Sequence, residues 1–123
     1  MKISEIFGWV WMNNIFGKPI KVNQASARVV VEPIPLTEEI LLANGFKIES
    51  DGYIWYHPTY SHEQVYVHIA LRHNGNVRRV EVKKQRAHFY RDTLPYAFSV
   101  HELQHALRLC GLNDLADNFK VEL

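Results

Sequence analysis

Five consecutive residues have the types and the spacing of a known catalytic motif. Residues 101–105 read His-Glu-Leu-Gln-His, which matches the pattern His-Glu-x-x-His. Histidines four positions apart lie on one face of a helix, where they can share a zinc ion while the glutamate acts as a general base. The spacing therefore predicts, as one hypothesis, a zinc-dependent, peptidase-like hydrolase with His101 and His105 as ligands and Glu102 as base.

The rest of the chain offers an incomplete set of partners for such a zinc ion. A catalytic site needs a third protein ligand and an open position for water. The extended metzincin motif requires glycine at position 108 and histidine at position 111, where this chain has Arg108 and Gly111. A third ligand would have to come from a loop or from the acidic tail. The candidates are His57, His62, Asp114, Asp117 and Glu122.

The same stretch has a complete structural explanation as a capped amphipathic helix over residues 99–110. Ser99 and Glu102 have the spacing of a capping box. Apolar residues recur with the period of one buried helix face, and the two histidines share the opposite face with Gln104 and Arg108. This interpretation gives Glu102 a structural role and predicts that the polar face is solvated. It is the favoured one, because an amphipathic helix often contains such a spacing by chance.

Length and composition predict one domain over residues 1–123, in which a small β unit at residues 1–32 packs onto residues 33–123. Apolar residues make up 47% of the chain and charged residues 22%, as in ordinary globular proteins. The net charge of +1 argues against a general polyanion binder.

The single cysteine and the N-terminal aromatic run limit the chemistry and the location that the sequence allows. The single cysteine, Cys110, excludes an internal disulfide, and its place on the apolar helix face predicts a buried thiol. The aromatic run at residues 6–16 is too short to span a bilayer and lacks a signal-peptide cleavage pattern. We therefore expect a cytoplasmic protein without membrane contact.

The pattern of the remaining segments predicts an α+β fold. An antiparallel sheet is expected to pack against two main helices, at about residues 37–44 and 99–110. Thr37 has the position of a helix N-cap. Trp9 and Trp11 share one side of a strand, as part of the core or of an aromatic binding surface. The expected strands are residues 9–11, 18–22, 28–32, 46–49, 53–56, the two strands that flank Asn74-Gly75, 87–91 and 119–121.

The dipeptide Asn74-Gly75 is typical of a two-residue type I′ hairpin turn and fixes a register. It sets His73 opposite Asn76. On the core side the expected pairs are Ile69 with Val80 and Val67 with Val82. On the other side they are Ala70 with Arg79, His68 with Glu81, and Tyr66 with Lys83. The pairing of His68 with Glu81 also predicts a cross-strand ion pair.

Basic residues crowd this hairpin and its exit. Residues 72–91 contain seven basic residues and a single acid, Glu81, a local net charge of +6 in a chain whose total is +1. The basic residues are Arg72, Arg78, Arg79, Lys83, Lys84, Arg86 and Arg91. One interpretation is a charged edge that discourages aggregation. The other is a binding face for nucleic acid or an acidic protein, with Tyr66 available for stacking.

Two segments of the chain resemble a known protein family. PIPLTEE at residues 33–39, then Leu-Leu and Gly-Phe within 41–46, and the later Val-His-x-Leu-Gln at 100–104 match its signatures. The chain is thereby similar to small uncharacterised proteins of gut anaerobic bacteria and of their phages and mobile elements. The likeness covers roughly residues 33–111. It implies kinship and assigns no activity.

The resemblance also bears on the zinc hypothesis. In that family the late segment commonly has either glutamine or glutamate at the position of Glu102, and asparagine in place of His105. Such a pattern is not built around His-Glu-x-x-His. We therefore expect a non-enzymatic accessory or interaction protein without a cofactor, which binds a partner through a basic sheet face. The candidate binding residues are Arg72, Arg79, Lys83 and Tyr66, and zinc hydrolysis is the alternative.

Overall fold

The computed structural model describes residues 9–22, 31–49, 53–56, 65–71, 77–92 and 98–121. The strands are β1 (Val10–Asn13), β2 (Pro19–Val22), β3 (Lys47–Glu49), β4 (Tyr53–Tyr56), β5 (Val65–Leu71), β6 (Val77–Lys84) and β7 (Ala87–Arg91). The helices are α1 (Glu38–Ala43), α2 (Val100–Leu109) and α3 (Asn113–Asp117). The predicted α+β class, a sheet packed against helices, is confirmed.

The main sheet has the order β3-β4-β5-β6-β7, and every neighbouring pair is antiparallel. Strands that follow each other in sequence therefore lie next to each other in space. β1 and β2 form a separate two-stranded sheet. This simple order arises because each strand connects to its neighbour without a crossover.

The register predicted from Asn74-Gly75 is confirmed along most of β5 and β6. Val67 pairs with Val82, and Ile69 with Val80, on the side that faces the core. The register then shifts between Ala70 and Leu71, so that Leu71 pairs with Val77. This irregularity leaves Arg78 as an extra residue near the start of β6. The turn itself, with the expected facing of His73 and Asn76, lies outside the described residues.

The core lies between this side of the sheet and the helices. Val67, Ile69, Val80 and Val82 have no exposed surface, and neither do the four residues that α2 turns toward them. Those residues are Val100, Leu103, Ala106 and Leu107. The buried thiol predicted for Cys110 is confirmed, since only 3% of the residue is exposed. Its pKa is raised, chiefly by burial.

Both main helices begin where their capping residues predict. Thr37 precedes α1 and accepts a hydrogen bond from the Ile40 backbone nitrogen at 3.3 Å. Ser99 precedes α2 and forms the capping box with Glu102. After α2 the chain turns at Gly111, whose φ of 79° lies in the left-handed region that glycine adopts readily.

The strand predicted at residues 119–121 is wrong. The chain there pairs with a side chain instead of a strand: the Asn44 amide donates to the Lys120 carbonyl at 2.8 Å and accepts from the Lys120 nitrogen at 2.7 Å. One asparagine thus satisfies both backbone groups that a neighbouring strand would have bonded.

The β1–β2 hairpin turns at Asn14, whose side chain accepts hydrogen bonds from the nitrogens of Phe16 and Lys18 at 2.9 and 3.0 Å. The strand predicted at residues 28–32 falls mostly outside the described residues. Its last residue, Glu32, exchanges two backbone hydrogen bonds of 2.8 Å with Asn13. Among the described helices, none has the length and apolarity that a membrane crossing requires.

Candidate functional site

Gln104, at the centre of the polar face of α2, is a docking point and not a solvated residue. It has no exposed surface. Its side-chain oxygen accepts a hydrogen bond from the Trp11 nitrogen at 2.8 Å, and its amide donates to the Ala116 carbonyl at 3.1 Å. The Trp11 indole also donates to the Phe119 carbonyl at 2.6 Å. The prediction of a solvated face is therefore wrong here, because β1 packs against α2.

The last turn of α2 extends this contact. Arg108 donates to the Trp9 carbonyl and, at 2.8 Å, to Asp117 on α3. Only 5% of its side chain is exposed. The Trp9 ring lies 4.5 Å from the Lys21 nitrogen and 5.6 Å from the Arg108 guanidinium, both within the range of cation–π attraction. Trp9 and Trp11 meet edge to face at 5.5 Å, so these tryptophans anchor the hairpin.

The first turn of α2 holds the histidines and glutamate of the catalytic spacing. The rings of His101 and His105 lie 5.8 Å apart, nearly perpendicular. Glu102 points to the helix start, where its Oε1 accepts from the Ser99 nitrogen at 3.1 Å and from the Ser99 hydroxyl at 2.8 Å. The Ser99 hydroxyl oxygen also lies 2.8 Å from His101 Nδ1.

Both histidines are held toward the neutral form. Burial, followed by the nearby His101 and Arg108, lowers the pKa of His105 to about 4, although Glu102 acts in the opposite direction. Burial likewise lowers the pKa of His101, and Glu102 opposes it. A neutral imidazole is the form that binds a metal ion.

The arrangement around the histidines brings no catalytic zinc site together among the described residues, in which no three His, Cys, Asp or Glu side chains cluster. Asp117 bonds Arg108. Asp114 is exposed in the first turn of α3, and the remaining candidates His57, His62 and Glu122 lie outside the described residues. The carboxylate that should activate water is engaged at the capping box, which is a structural role.

The second candidate site is the side of the main sheet opposite the core. We call it the outer sheet face, and strand pairing defines its described members on β5, β6 and β7. They are Tyr66, His68, Ala70, Arg79, Glu81, Lys83, His88 and Tyr90. Three of the four predicted binding residues, Arg79, Lys83 and Tyr66, thus share this face, and Arg72 lies outside the described residues. His88 and Tyr90 join them from β7, and their alternation with Phe89 was the signal that could have found them.

Glu81 links three strands at the centre of the outer sheet face. Its Oε2 lies 2.7 Å from His88 Nε2, and the Tyr66 hydroxyl also bonds its carboxylate. Burial raises the pKa of Tyr66, and the charge and hydrogen bond of Glu81 raise it further. The predicted facing of His68 and Glu81 is confirmed. The ion-pair partner that the structure records for Glu81, however, is His88.

The aromatic rings of this face are ordered next to one another. Tyr66 and His68 stack with their centroids 4.5 Å apart and an angle of 32° between the rings. On β7, His88 and Tyr90 lie 6.4 Å apart. Tyr90 is 49% exposed, and its hydroxyl donates to Asp92 at 3.0 Å. Solvent therefore reaches this face most freely along β7.

The other basic residues of the hairpin do not all belong to this face. Lys84 occupies the helix side of β6 and donates to the Gly111 carbonyl at 3.2 Å. Arg91 lies over the Phe89 ring at 5.7 Å, and Phe89 packs against the core. The single basic face expected from the charge count is thus divided between the two sides of the sheet.

No protein-family model, curated protein or solved structure matches the chain. The chemistry of the two faces is therefore what bears on function.

Proposed function

We propose that the protein is a non-enzymatic binding protein for single-stranded nucleic acid and uses the outer sheet face. One observation carries this: on a single side of the antiparallel sheet, four rings on β5 and β7 flank two cations on β6. The rings are Tyr66, His68, His88 and Tyr90, and the cations are Arg79 and Lys83. Aromatic side chains stack on bases, and arginine or lysine binds the phosphates between them.

The rings favour nucleic acid over an acidic protein as the ligand. An acidic protein surface needs only the positive charges of Arg79 and Lys83. Flat rings with solvent access, such as Tyr90 at 49% exposure, supply the stacking surface that a splayed base requires. The contact between the Tyr66 and His68 rings, 4.5 Å apart and tilted by 32°, supports this choice because it holds two rings side by side on this face.

Glu81 would keep these rings in place rather than bind the ligand. It bonds both His88 and Tyr66, which fixes one ring from each flanking strand. A fixed ring loses less entropy when a base stacks on it. The resemblance to proteins of phages and mobile elements suggests an accessory role in the bacterial cytoplasm, where such elements handle single strands.

The test is fluorescence anisotropy with a labelled thymidine 20-mer, titrated with protein at 50 and 200 mM salt. Tyr90→Ala should weaken binding about tenfold, because one stacked base is worth ~1–3 kcal/mol. Tyr90→Phe keeps the ring and should bind like the wild type. Arg79→Ala with Lys83→Ala should weaken binding and make the salt slope shallower by about 1.4, for two phosphate contacts.

A matched control and a competing ligand complete the experiment. Lys18→Ala removes one equal charge from the exposed turn of the β1–β2 hairpin and should bind normally. Failure of the 20-mer to bind at 50 mM salt would contradict the proposal. Binding of a polyglutamate peptide that depends on Arg79 and Lys83 but not on the Tyr90 ring would favour an acidic protein partner instead.

The zinc-hydrolase hypothesis has weaker support, because Glu102 is bonded at the helix start. Turnover of a peptide substrate that requires zinc and is lost in Glu102→Gln would restore it.

A further inference from the structure

The first turns of α2 contain the two histidines of the catalytic spacing. His101 and His105 lie on the same side of the helix, with their ring centroids 5.8 Å apart. Both are partly exposed, in contrast to Gln104 between them. We propose that this pair binds a divalent transition-metal ion such as Zn²⁺ or Ni²⁺ as a two-histidine clamp, independently of hydrolysis and of the outer sheet face.

The distance between the rings fits this proposal. If one nitrogen of each ring binds an ion at about 2.0–2.1 Å with a tetrahedral angle between the two bonds, the ring centroids lie about 5 Å apart. The observed separation is 5.8 Å, so the rings need to approach each other by less than ~1 Å. Rotation of the side chains supplies such a movement without any change in the helix, since positions i and i+4 are already neighbours.

The hydrogen bonds at Ser99 prepare His101 for this role. Ser99 has one hydroxyl hydrogen and gives it to Glu102, at 2.8 Å, because a carboxylate only accepts. The contact of 2.8 Å between the same oxygen and His101 Nδ1 must then be donated by the ring. His101 therefore carries its hydrogen on Nδ1 and leaves the lone pair of Nε2 for a metal ion.

Hydrogen bonds thus link the Glu102 carboxylate, the Ser99 hydroxyl and the His101 imidazole in a chain. Such hydrogen bonds to the second ring nitrogen orient metal-binding histidines. This chain of hydrogen bonds also gives Glu102 a function within the motif without any catalysis. The carboxylate caps the helix and, through Ser99, sets the tautomer of His101. Water would occupy the remaining positions of the ion, and the bound ion would clamp two turns of the helix on which the β1–β2 hairpin docks.

The test is calorimetric titration of tag-free, metal-stripped protein with ZnCl₂ and with NiCl₂ at pH 7.5. We expect one ion per chain, confirmed by elemental analysis after gel filtration, and a rise of Tm with zinc. His101→Ala and His105→Ala should each weaken zinc binding at least tenfold, because a single imidazole remains. Ser99→Ala should weaken it about tenfold through the lost orientation of the ring. Glu102→Gln should still bind, since the amide oxygen can accept from Ser99.

A matched control uses the histidine of the other face. His88→Ala removes an exposed imidazole that bonds Glu81 and should leave zinc binding unchanged. If either α2 alanine variant fails to fold by circular dichroism, His101→Phe or His105→Phe replaces it with a flat ring that cannot bind metal. Zinc uptake that persists in both histidine variants would overturn the proposal. So would a folded wild-type protein that takes up no zinc at 0.1 mM, a level about a hundredfold above a micromolar Kd.

Discussion

The polar face of α2 and the outer sheet face are built from the same kinds of residue. Each contains two histidines and one glutamate. They are His101, His105 and Glu102 on the helix, and His68, His88 and Glu81 on the sheet. The two glutamates nevertheless bond different groups. On the helix the carboxylate bonds the backbone and hydroxyl of Ser99, whereas on the sheet it bonds side chains from two neighbouring strands.

The position in the backbone explains this difference. The third residue of a helix faces unbonded backbone nitrogens, which attract its carboxylate. A residue in the middle of a strand has its backbone groups bonded already, so its side chain meets only the side chains across the pleat. The same residue types therefore serve the stability of a helix in one place and the arrangement of a surface in the other.

The two faces also differ in what covers them. The β1–β2 hairpin leaves Gln104 with no exposed surface and the Arg108 side chain with 5%. On the outer sheet face Tyr90 is 49% exposed. The polar face of α2 is therefore largely covered by the β1–β2 hairpin, whereas the outer sheet face leaves more surface open to a large ligand.

The largest expected effect on stability comes from replacing Gln104. Gln104→Leu would leave the buried nitrogen of Trp11 and carbonyl of Ala116 without their recorded partner, so we expect a loss of about 2–4 kcal/mol in the free energy of unfolding. Urea denaturation followed by fluorescence measures it. The reverse exchange at an exposed position of the same helix, Leu109→Gln, should change stability by less than about 0.5 kcal/mol. A loss below 1 kcal/mol for Gln104→Leu would show that the docking contact is weak.

The next largest effect is a dependence of the free energy of unfolding on pH, which originates in α2. The pKa of His105 falls to about 4 in the folded protein, from 6.5. Below pH 6.5 the unfolded chain therefore takes up the proton more readily, and the stability of the metal-free protein falls as pH drops from 6.5 toward 4. Because the ring is only half-buried, we expect on the order of 1–2 kcal/mol in total. Urea denaturation at several pH values should show a shallower slope for His105→Gln, and an unchanged slope would contradict this origin.

Removal of the helix cap should have a smaller effect. Glu102→Ala deletes the acceptor for the Ser99 nitrogen, so we expect a loss of about 1 kcal/mol in the free energy of unfolding. Glu102→Gln keeps an acceptor oxygen and should lose only a few tenths of a kcal/mol. Thermal or urea unfolding of the two variants gives the comparison. Equal losses would mean that the charge of Glu102, and not its hydrogen bond, stabilises the helix.

The features that the sequence predicted correctly are those with local causes. The register expected from Asn74-Gly75 is found along most of β5 and β6, because the side-chain period of two allows little slippage once one side is buried. Thr37 and Ser99 mark the starts of α1 and α2 because capping involves residues only three positions away. Alternation along β5 and β6, together with this register, placed Tyr66 on the same face as Arg79 and Lys83.

The features that it missed depend on distant parts of the chain. Gln104 looked solvated in a helical pattern, but its partner Trp11 lies 93 positions earlier. The expected strand at residues 119–121 is replaced by a pairing with Asn44, 76 positions away. The charge count did not divide the basic residues between the two sides of the sheet. Alternation along β6 places Lys84 on the same side as Val80 and Val82, where its bond to Gly111, 27 positions later, holds it against the helix side. No local pattern contains these contacts.

The smallest expected effect is on ligand affinity, and it compares the roles of Glu81 and Glu102 most directly. Glu81→Gln removes the only acid among the described positions of β6 and β7 from the proposed nucleic-acid surface. One charge at about 6 Å in water, screened by salt, is worth roughly 0.5 kcal/mol, so the thymidine 20-mer should bind about twofold tighter at low salt. Stability should change by only a few tenths of a kcal/mol, because the amide still accepts from Tyr66 or His88.

The matched control is Glu39→Gln, at an exposed position of α1, which should leave the affinity for the 20-mer unchanged. An equal gain in both variants would mean that net charge and not the outer sheet face controls binding. If Glu81→Gln binds the 20-mer more tightly and Glu102→Gln does not, the ligand binds on the sheet. Glu102 would then have only its role in capping the helix.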